Sequence, residues 1–185
     1  MDICEETGVW LRNSLKGHIF DANLASALVN ILNKKNVKSV YDLGCGHGEY
    51  TRYLNQNSFE CSGFDGNPYT NQITNGLCYV LNLTEDINLP EVDCVLCLEV
   101  GEHIPKKFES VLINNIVKST SNYLILSWAV EGQGGEGHVN CRNNDYVKGL
   151  LEDRGFRNIS EDELILREAS HLSWFKNTIM VFEKR

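Results

Sequence analysis

The chain has 185 residues, 25 of them acidic against 17 basic, for a net charge of −8. That length suits one domain with a real core, and the scattered lysines and arginines argue against a nucleic-acid partner, which needs clustered positive charge. No apolar run approaches the ~20 residues of a membrane span, so no membrane partner is expected either.

The opening stretch "MDICEETGVW" has neither a basic leader nor an apolar segment after it, so no signal peptide is expected. A reducing, cytoplasmic setting is the default reading, and the seven cysteines fit it. They are odd in number and irregular in spacing, and Cys94 and Cys97 sit in "DCVLCLEV", a strand-like run without a second pair to complete a zinc site.

The first thirty-five or so residues read as helical. In "GHIFDANLASALVNILNKK", Ile19, Leu24, Leu28, Ile31 and Leu32 share a face, and Asp21 is a candidate cap. Strand-like and helical runs then alternate. "SVYDLG" (39–44) reads as a strand and "EYTRYLNQN" (49–57) as a helix. "ECSGFDG" (60–66), "LCYVLNL" (77–83) and "VDCVLCLEV" (92–100) are further strands. "PKKFESVLINNIVKST" (105–120) has helical spacing, "NYLILSWAV" (122–130) is a fifth strand, and "NNDYVKGLLEDRG" (143–155) is a helix closed by Gly155. "FRNIS", a helical "EDELILREASHL" and a last strand "TIMVFEKR" (178–185) follow. Alternation of this kind implies crossover connections and a parallel sheet covered on both faces. No Pro/Gly/Ser linker divides the chain. One doubly wound α/β domain over 1–185 is expected, with an N-terminal helical segment (1–36) and a Rossmann-like core (37–185).

Asp42 and three alternating glycines, Gly44, Gly46 and Gly48, stand between the first strand and the next helix. Ligands of open parallel sheets bind at such a place. A dinucleotide site needs G-x-G-x-x-G, and here the third glycine falls one residue early, with Glu49 where it should be. A glutamate opening the helix also opposes a pyrophosphate. An NAD(P)-dependent oxidoreductase is thereby disfavoured.

"VYDLGCGHGEY" resembles motif I of the class I S-adenosylmethionine-dependent methyltransferases, and similarity to that family runs from about residue 18 to 185. The resemblance implies a seven-stranded, mostly parallel sheet with an antiparallel last strand, and S-adenosyl-L-methionine as cofactor. Asp42, Gly44, Cys45, Gly46 and Gly48 would form the cofactor loop. Asp65, followed by Gly66, would hold the ribose hydroxyls, for which an ionised carboxylate is a sound acceptor. "VLNLTED" resembles the adenine-contact segment, with Asn82 where an aspartate is usual and Leu83 beside it. "CLEVGEHIP" resembles the segment after the fourth strand, placing Glu99 near the methionine part.

Methyl transfer from a sulfonium is an in-line displacement, helped by orientation and, for an oxygen acceptor, by a general base. Candidates are His138 in the glycine-rich loop "SWAVEGQGGEGHVNCRN" (127–143), then His103, then Glu102. That loop's Gln, His, Asn and Arg suit a polyhydroxylated acceptor, a sugar or glycan hydroxyl or another small polar molecule. Glu102, His103 and His138 could converge on a metal, but no sequence-local ligand spacing supports one, so none is expected. Trp174 and Phe175 are expected in the core, and His18 could close over the cofactor. The rival from another class is a non-catalytic cofactor- or partner-binding module on the same fold.

Overall fold

The computed structural model describes residues 3–11, 13 and 18–185. Its elements in chain order are α1 (Ala22–Lys34), β1 (Ser39–Leu43), α2 (Glu49–Gln56), β2 (Glu60–Asp65), α3 (Thr70–Ile73), β3 (Cys78–Val80) and β4 (Val92–Leu98). A turn of 3-10 helix (Lys106–Phe108) leads into α4 (Glu109–Ser119), then β5 (Thr120–Ser127), α5 (Asn144–Glu152), β6 (Phe156–Asn158), α6 (Ser160–Ala169), α7 (Phe175–Thr178) and β7 (Met180–Lys184).

The strands form one seven-stranded sheet in the order β3-β2-β1-β4-β5-β7-β6. β1 to β5 pair in parallel, and β7 runs antiparallel to both β5 and β6. The chain travels outward from β1 to β3, then returns to place β4 on the other side of β1. The crevice above β1 and β4 is the switch point where a doubly wound sheet binds its ligand.

Side-chain alternation explains why the central strands are apolar throughout. Val95, Cys97, Leu124, Leu126 and Phe182 belong to one core, against Leu112 and Ile116 of α4 and Val147 and Leu151 of α5. Cys94, Leu96, Ile125 and Val181 face the other way, against α1, α2 and α6 through Leu28, Ile31, Leu54 and Leu166. Cys94 and Cys97 therefore stand on opposite faces, as a spacing of three on a strand requires. Among the described residues every cysteine is a free thiol.

Three expectations are corrected. The described part of the first twenty residues is not helical. Residues 4–9 make a tight turn closed by Cys4 N–H to Val9 C=O (2.8 Å), and Ile3 bridges Trp10, while 1–2, 12 and 14–17 lie outside the described residues. Helix α1 starts only after Asp21, whose carboxylate caps Leu24 N–H at 3.0 Å, so Ile19 falls outside the helix and is 58% exposed. β3 is three residues long, not seven, because Asn82 Oδ1 accepts from Thr84 N–H and Oγ and turns the chain away. β4 stops at Leu98, because Glu99 adopts a left-handed backbone at φ 52°.

Candidate functional site

A cavity of about 880 Å³ opens at the carboxyl ends of β1, β2 and β4. Its walls come from residues far apart in the chain: the glycine loop after β1, Asp65 to Asn67, Glu99 and Val100, the loop after β5, and the segments 8–10, 18–20 and 173–177. The glycine loop turns with left-handed backbone at Gly44 (φ 79°) and Gly46 (φ 52°). A Cβ at Gly44 would fall 2.2 Å from Val100, and one at Gly46 2.5 Å from His18, so side chains there would fill the cradle.

Asp65 ties this loop to the end of β2. Its Oδ2 accepts from Gly46 N–H at 2.9 Å and its Oδ1 from Asn67 N–H at 2.8 Å. Asp42 is fully buried, and its Oδ2 accepts from Thr51 Oγ at 2.8 Å. Burial pushes its carboxyl up to about 6, opposed by the Thr51 hydroxyl and assisted by the charge of Asp65.

Asp42, Gly44, Cys45, Gly46, Asp65, Gly66, Leu83, Glu99, His103 and His138 all line the cavity, whereas Gly48, Asn82 and Glu102 do not. Gly48 backs onto Cys78 and Thr74 at the foot of the loop. Asn82 has spent its side chain on Thr84 and on Glu85 Oε1, to which its Nδ2 donates at 2.8 Å. Glu102 lies behind the wall, fully buried, with its backbone carbonyl accepting from Val139 and Asn140 N–H (2.8 and 2.9 Å). That pair of bonds seats the long loop after β5 on the segment after β4.

The loop's polar residues divide into two groups. Asn140 and Arg142 are structural. Asn140 Nδ2 and Arg142 Nε donate to Glu109 Oε2 (3.0 and 2.7 Å), Tyr146 Oη donates to Glu109 Oε1 (2.6 Å), and Trp128 Nε1 donates to Asn140 C=O (2.7 Å). Gln133 and His138 face the cavity. Gln133 Nε2 donates to Glu99 Oε2 at 2.8 Å, and Thr178 Oγ to Glu99 Oε1 at 3.2 Å.

His138 Nδ1 lies 3.1 Å from Gln133 C=O. A carbonyl can only accept, so in the neutral ring Nδ1 carries the proton and Nε2 presents a lone pair. The rings of His138 and His103 meet edge to face at 5.0 Å. Burial, then the proximity of His138 and His18, pushes His103 down to about 4, which keeps it neutral at pH 7. Burial and the neighbouring Glu99 push Glu102 well above the usual carboxylate range; backbone groups of Glu102 and Ala129 oppose this only partly, and no partner reaches hydrogen-bond geometry with either oxygen.

Trp10 is a wall residue that sequence reasoning missed, as it missed His47, Tyr50 and Asn177. Trp10 lies 5.4 Å from His18 and 5.6 Å from His103, joining the two ends of the cavity. No periodicity marks it, because it makes only an isolated bridge to Ile3 outside any longer strand or helix. Trp174 and Phe175 both line the cavity; Phe175 is core as well (4% exposed), and Trp174 is only partly buried. His18 does lie over the glycine loop, 4.3 Å from His47.

Sheet order and loop together define a class I S-adenosylmethionine-dependent methyltransferase domain. The family model described as "Methyltransferase domain" matches residues 17–161, and the chain belongs to that family. The fold is similar to magnesium protoporphyrin IX methyltransferase from Synechocystis PCC 6803 with bound SAH (TM-score 0.67, 18% identity, 87% of this chain and 81% of that one). It is also similar to 1,6-didemethyltoxoflavin-N1-methyltransferase from Burkholderia thailandensis with bound S-adenosylhomocysteine (TM-score 0.59, 14% identity, 88% of this chain and 78% of that one). A probable chloroplastic tocopherol O-methyltransferase of Oryza sativa subsp. japonica is 27% identical over 60% of this chain. The match spans about a third (34%) of that relative's length.

Proposed function

We propose that this domain methylates a hydroxyl oxygen of a small polar acceptor, with a sugar or glycan hydroxyl favoured. The observation that carries the reading is the pair of imidazoles, His103 and His138, that line the cavity with their rings edge to face. An oxygen acceptor must shed a proton as it attacks, and a neutral imidazole can take one near pH 7.

When bound, S-adenosylmethionine supplies an electrophilic methyl group on a sulfonium. Gly44, Cys45 and Gly46 leave the open cradle it needs, and Asp65 and Gly66 receive the ribose. Leu83 flanks the adenine, and Asp42 and Glu99 set negative charge toward a cationic ligand. Gly48 and Asn82 act from behind the wall, as supports of the loop and of the turn after β3. His138 Nε2 takes the acceptor's proton, His103 packs against its ring, and Glu102 seats the loop that carries it. The N-terminal segment and the core 37–185 act as one unit, since residues 8–10 and 18–20 contribute walls along with the core.

The acceptor class rests on the lining. Gln133, Ser173 and Asn177 offer hydrogen bonds, and Trp10 and Trp174 offer aromatic surface. A few polar groups among apolar ones are what orient a small ligand. Glu99, Glu131 and Glu136 on the same wall oppose an anionic acceptor. By their names the relatives act on a tocopherol, a porphyrin and a toxoflavin precursor, so this chain's own lining is the guide.

Calorimetry with S-adenosylhomocysteine tests the cofactor half. Asp65→Ala removes a charged acceptor for two hydroxyls and should weaken binding by about 3 kcal/mol, roughly 100-fold; unchanged affinity would sink the assignment. Methyl transfer to monosaccharides, glycans and small phenols tests the other half. His138→Ala should lower turnover at least tenfold with cofactor affinity intact, and transfer confined to nitrogen acceptors would refute the oxygen reading.

A further inference from the structure

Glu102 is fully buried, yet neither of its carboxylate oxygens has a hydrogen-bond partner, and His103 Nδ1 beside it has none either. Buried polar atoms are satisfied in nearly all native structures, and an unpartnered buried carboxylate is among the most costly groups a fold can hold. The basic side chain of the adjoining loop does not help, because Arg142 is held by Glu109. A cation from outside the chain is the simplest completion.

The geometry supports one. Single ligand atoms of Glu102, His103 and His138 all lie within 4.8 Å of one another, the one such group among the described residues. Donors around one ion at bonds of about 2.1 Å stand roughly 3 to 4 Å apart, so a rotamer-scale movement closes the set. His138 is already oriented as metal-binding imidazoles are, with Nδ1 on the Gln133 carbonyl and Nε2 left to ligate. Beside the cluster, Glu99 holds a left-handed backbone at φ 52° and is fixed by Gln133 and Thr178. Strain of that kind persists where surrounding contacts over-determine a residue, and it gathers at ligand clamps.

We propose that Glu102, His103 and His138 bind one divalent first-row transition-metal ion, flanked by Glu99, with its remaining coordination positions open to the cavity. Two imidazoles and a carboxylate with open positions suit Mn²⁺, Fe²⁺, Co²⁺ or Zn²⁺. Sequence spacing hides the set, because two ligands are adjacent and the third comes 35 residues later, brought in by the loop that docks on the Glu102 carbonyl. On the O-methylation reading, on which this part rests, an open position is where the acceptor oxygen binds and is oriented. With the ion bound, His138 Nε2 is a ligand and no longer takes the acceptor proton as it does in the ion-free site, so that proton leaves to water.

The test uses the whole chain after chelator treatment, without cofactor or acceptor, titrated with Mn²⁺ by electron paramagnetic resonance and with Zn²⁺ by calorimetry. One ion per chain is expected, with affinity reduced at least tenfold in each of His103→Ala, His138→Ala and Glu102→Gln. Metal should raise the melting midpoint of the wild type and leave that of the variants unchanged. Glu102→Gln should melt no lower than the wild type without metal, because it removes an unpartnered buried acid; a purely structural glutamate would lose stability. Wild-type affinity for S-adenosylhomocysteine verifies the fold of each variant. His138 lies on a surface loop, so its variant decides should either buried exchange fail to fold. No stoichiometric binding by the wild type, or binding that the variants leave intact, overturns the proposal. Methyl transfer to a hydroxyl that persists with chelator removes the metal and leaves the O-methylation reading standing. Metal binding with transfer only to nitrogen does the reverse.

Discussion

At the scale of single residues, two acids at the site, Asp42 and Glu102, are placed where water cannot reach them. Asp42 is the clearest case, buried at the end of β1 with Thr51 as its donor and Asp65 nearby. Its carboxyl is raised to about 6 in the folded chain against an ordinary value near 4, so the folded state holds its proton more tightly than the unfolded one. The stabilising contribution of the protonated form is complete below pH 4 and disappears as pH rises through 6. Asp42→Asn removes the charge and keeps an acceptor for Thr51, though its buried amide offsets part of the gain. Cofactor-free Asp42→Asn should therefore gain on the wild type by about 1–2 kcal/mol between pH 4.5 and 7.5. Chemical denaturation at both pH values reads this directly. A difference that stays constant with pH would show that the Asp42 proton is not the source.

At the scale of elements, strand–helix order was legible because alternation on the central strands is imposed by two covered faces, and residues such as Cys94 to Leu98 record it. What was not legible depended on contacts made across the fold. Asn82 reads as a strand or ligand residue until its side chain is seen closing a turn on Thr84. Asn140 and Arg142 read as acceptor contacts, yet they are partners of Glu109, which the sequence shows only as one residue of the helical run 105–120. The glycine loop and Asp65 stand out in the sequence because their spacing is local; no local spacing marks the convergence of Glu102, His103 and His138, which the sequence only allowed, since it depends on how one loop docks. Glu109 should therefore control that loop. Burial opposes its ionisation, but donation from Tyr146, Arg142 and Asn140 holds its carboxyl below the usual range. The stability it confers is present above pH 4.5 and lost on acidification. Glu109→Ala leaves Arg142 and Asn140 without their acceptor and should cost about 2–3 kcal/mol, roughly 5–10 °C in melting midpoint. Acceptor KM should rise with cofactor affinity unchanged. A variant that melts like the wild type would mean the loop is held by its backbone bonds to Glu102 alone.

For the whole molecule, the cavity is walled in part by two segments far apart in the chain, 8–10 and 173–177. The segment 8–10 wedges between the parts of the site: a Cβ at Gly66 would meet Val9 at 2.5 Å, and one at Gly8 would meet the His103 carbonyl at 1.9 Å. From the other end, Ser170 Oγ, the His171 backbone N–H and the His171 ring bind the Asp21 carboxylate (2.6, 2.9 and 2.8 Å), which holds the start of α1 beside segment 173–177. Sequence periodicity could not reveal this, since residues 8–10 follow a turn and belong to no helix or longer strand, Trp10 making only an isolated bridge to Ile3. A ligand between these walls has to couple them, because opening the N-terminal turn would release it. Hydrogen exchange with S-adenosylhomocysteine should slow the amides of 44–48 and 65–67, and those of Gly8, Val9 and Trp10 along with them. At a ligand concentration 100 times Kd, exchange that requires release slows by up to about 100-fold. Protection of the glycine loop with no change at Gly8 to Trp10 would mean that the turn rests on the protein without enclosing the cofactor. The wall would then consist of the sheet ends and the loop after β5, and truncation before His18 would leave cofactor affinity intact.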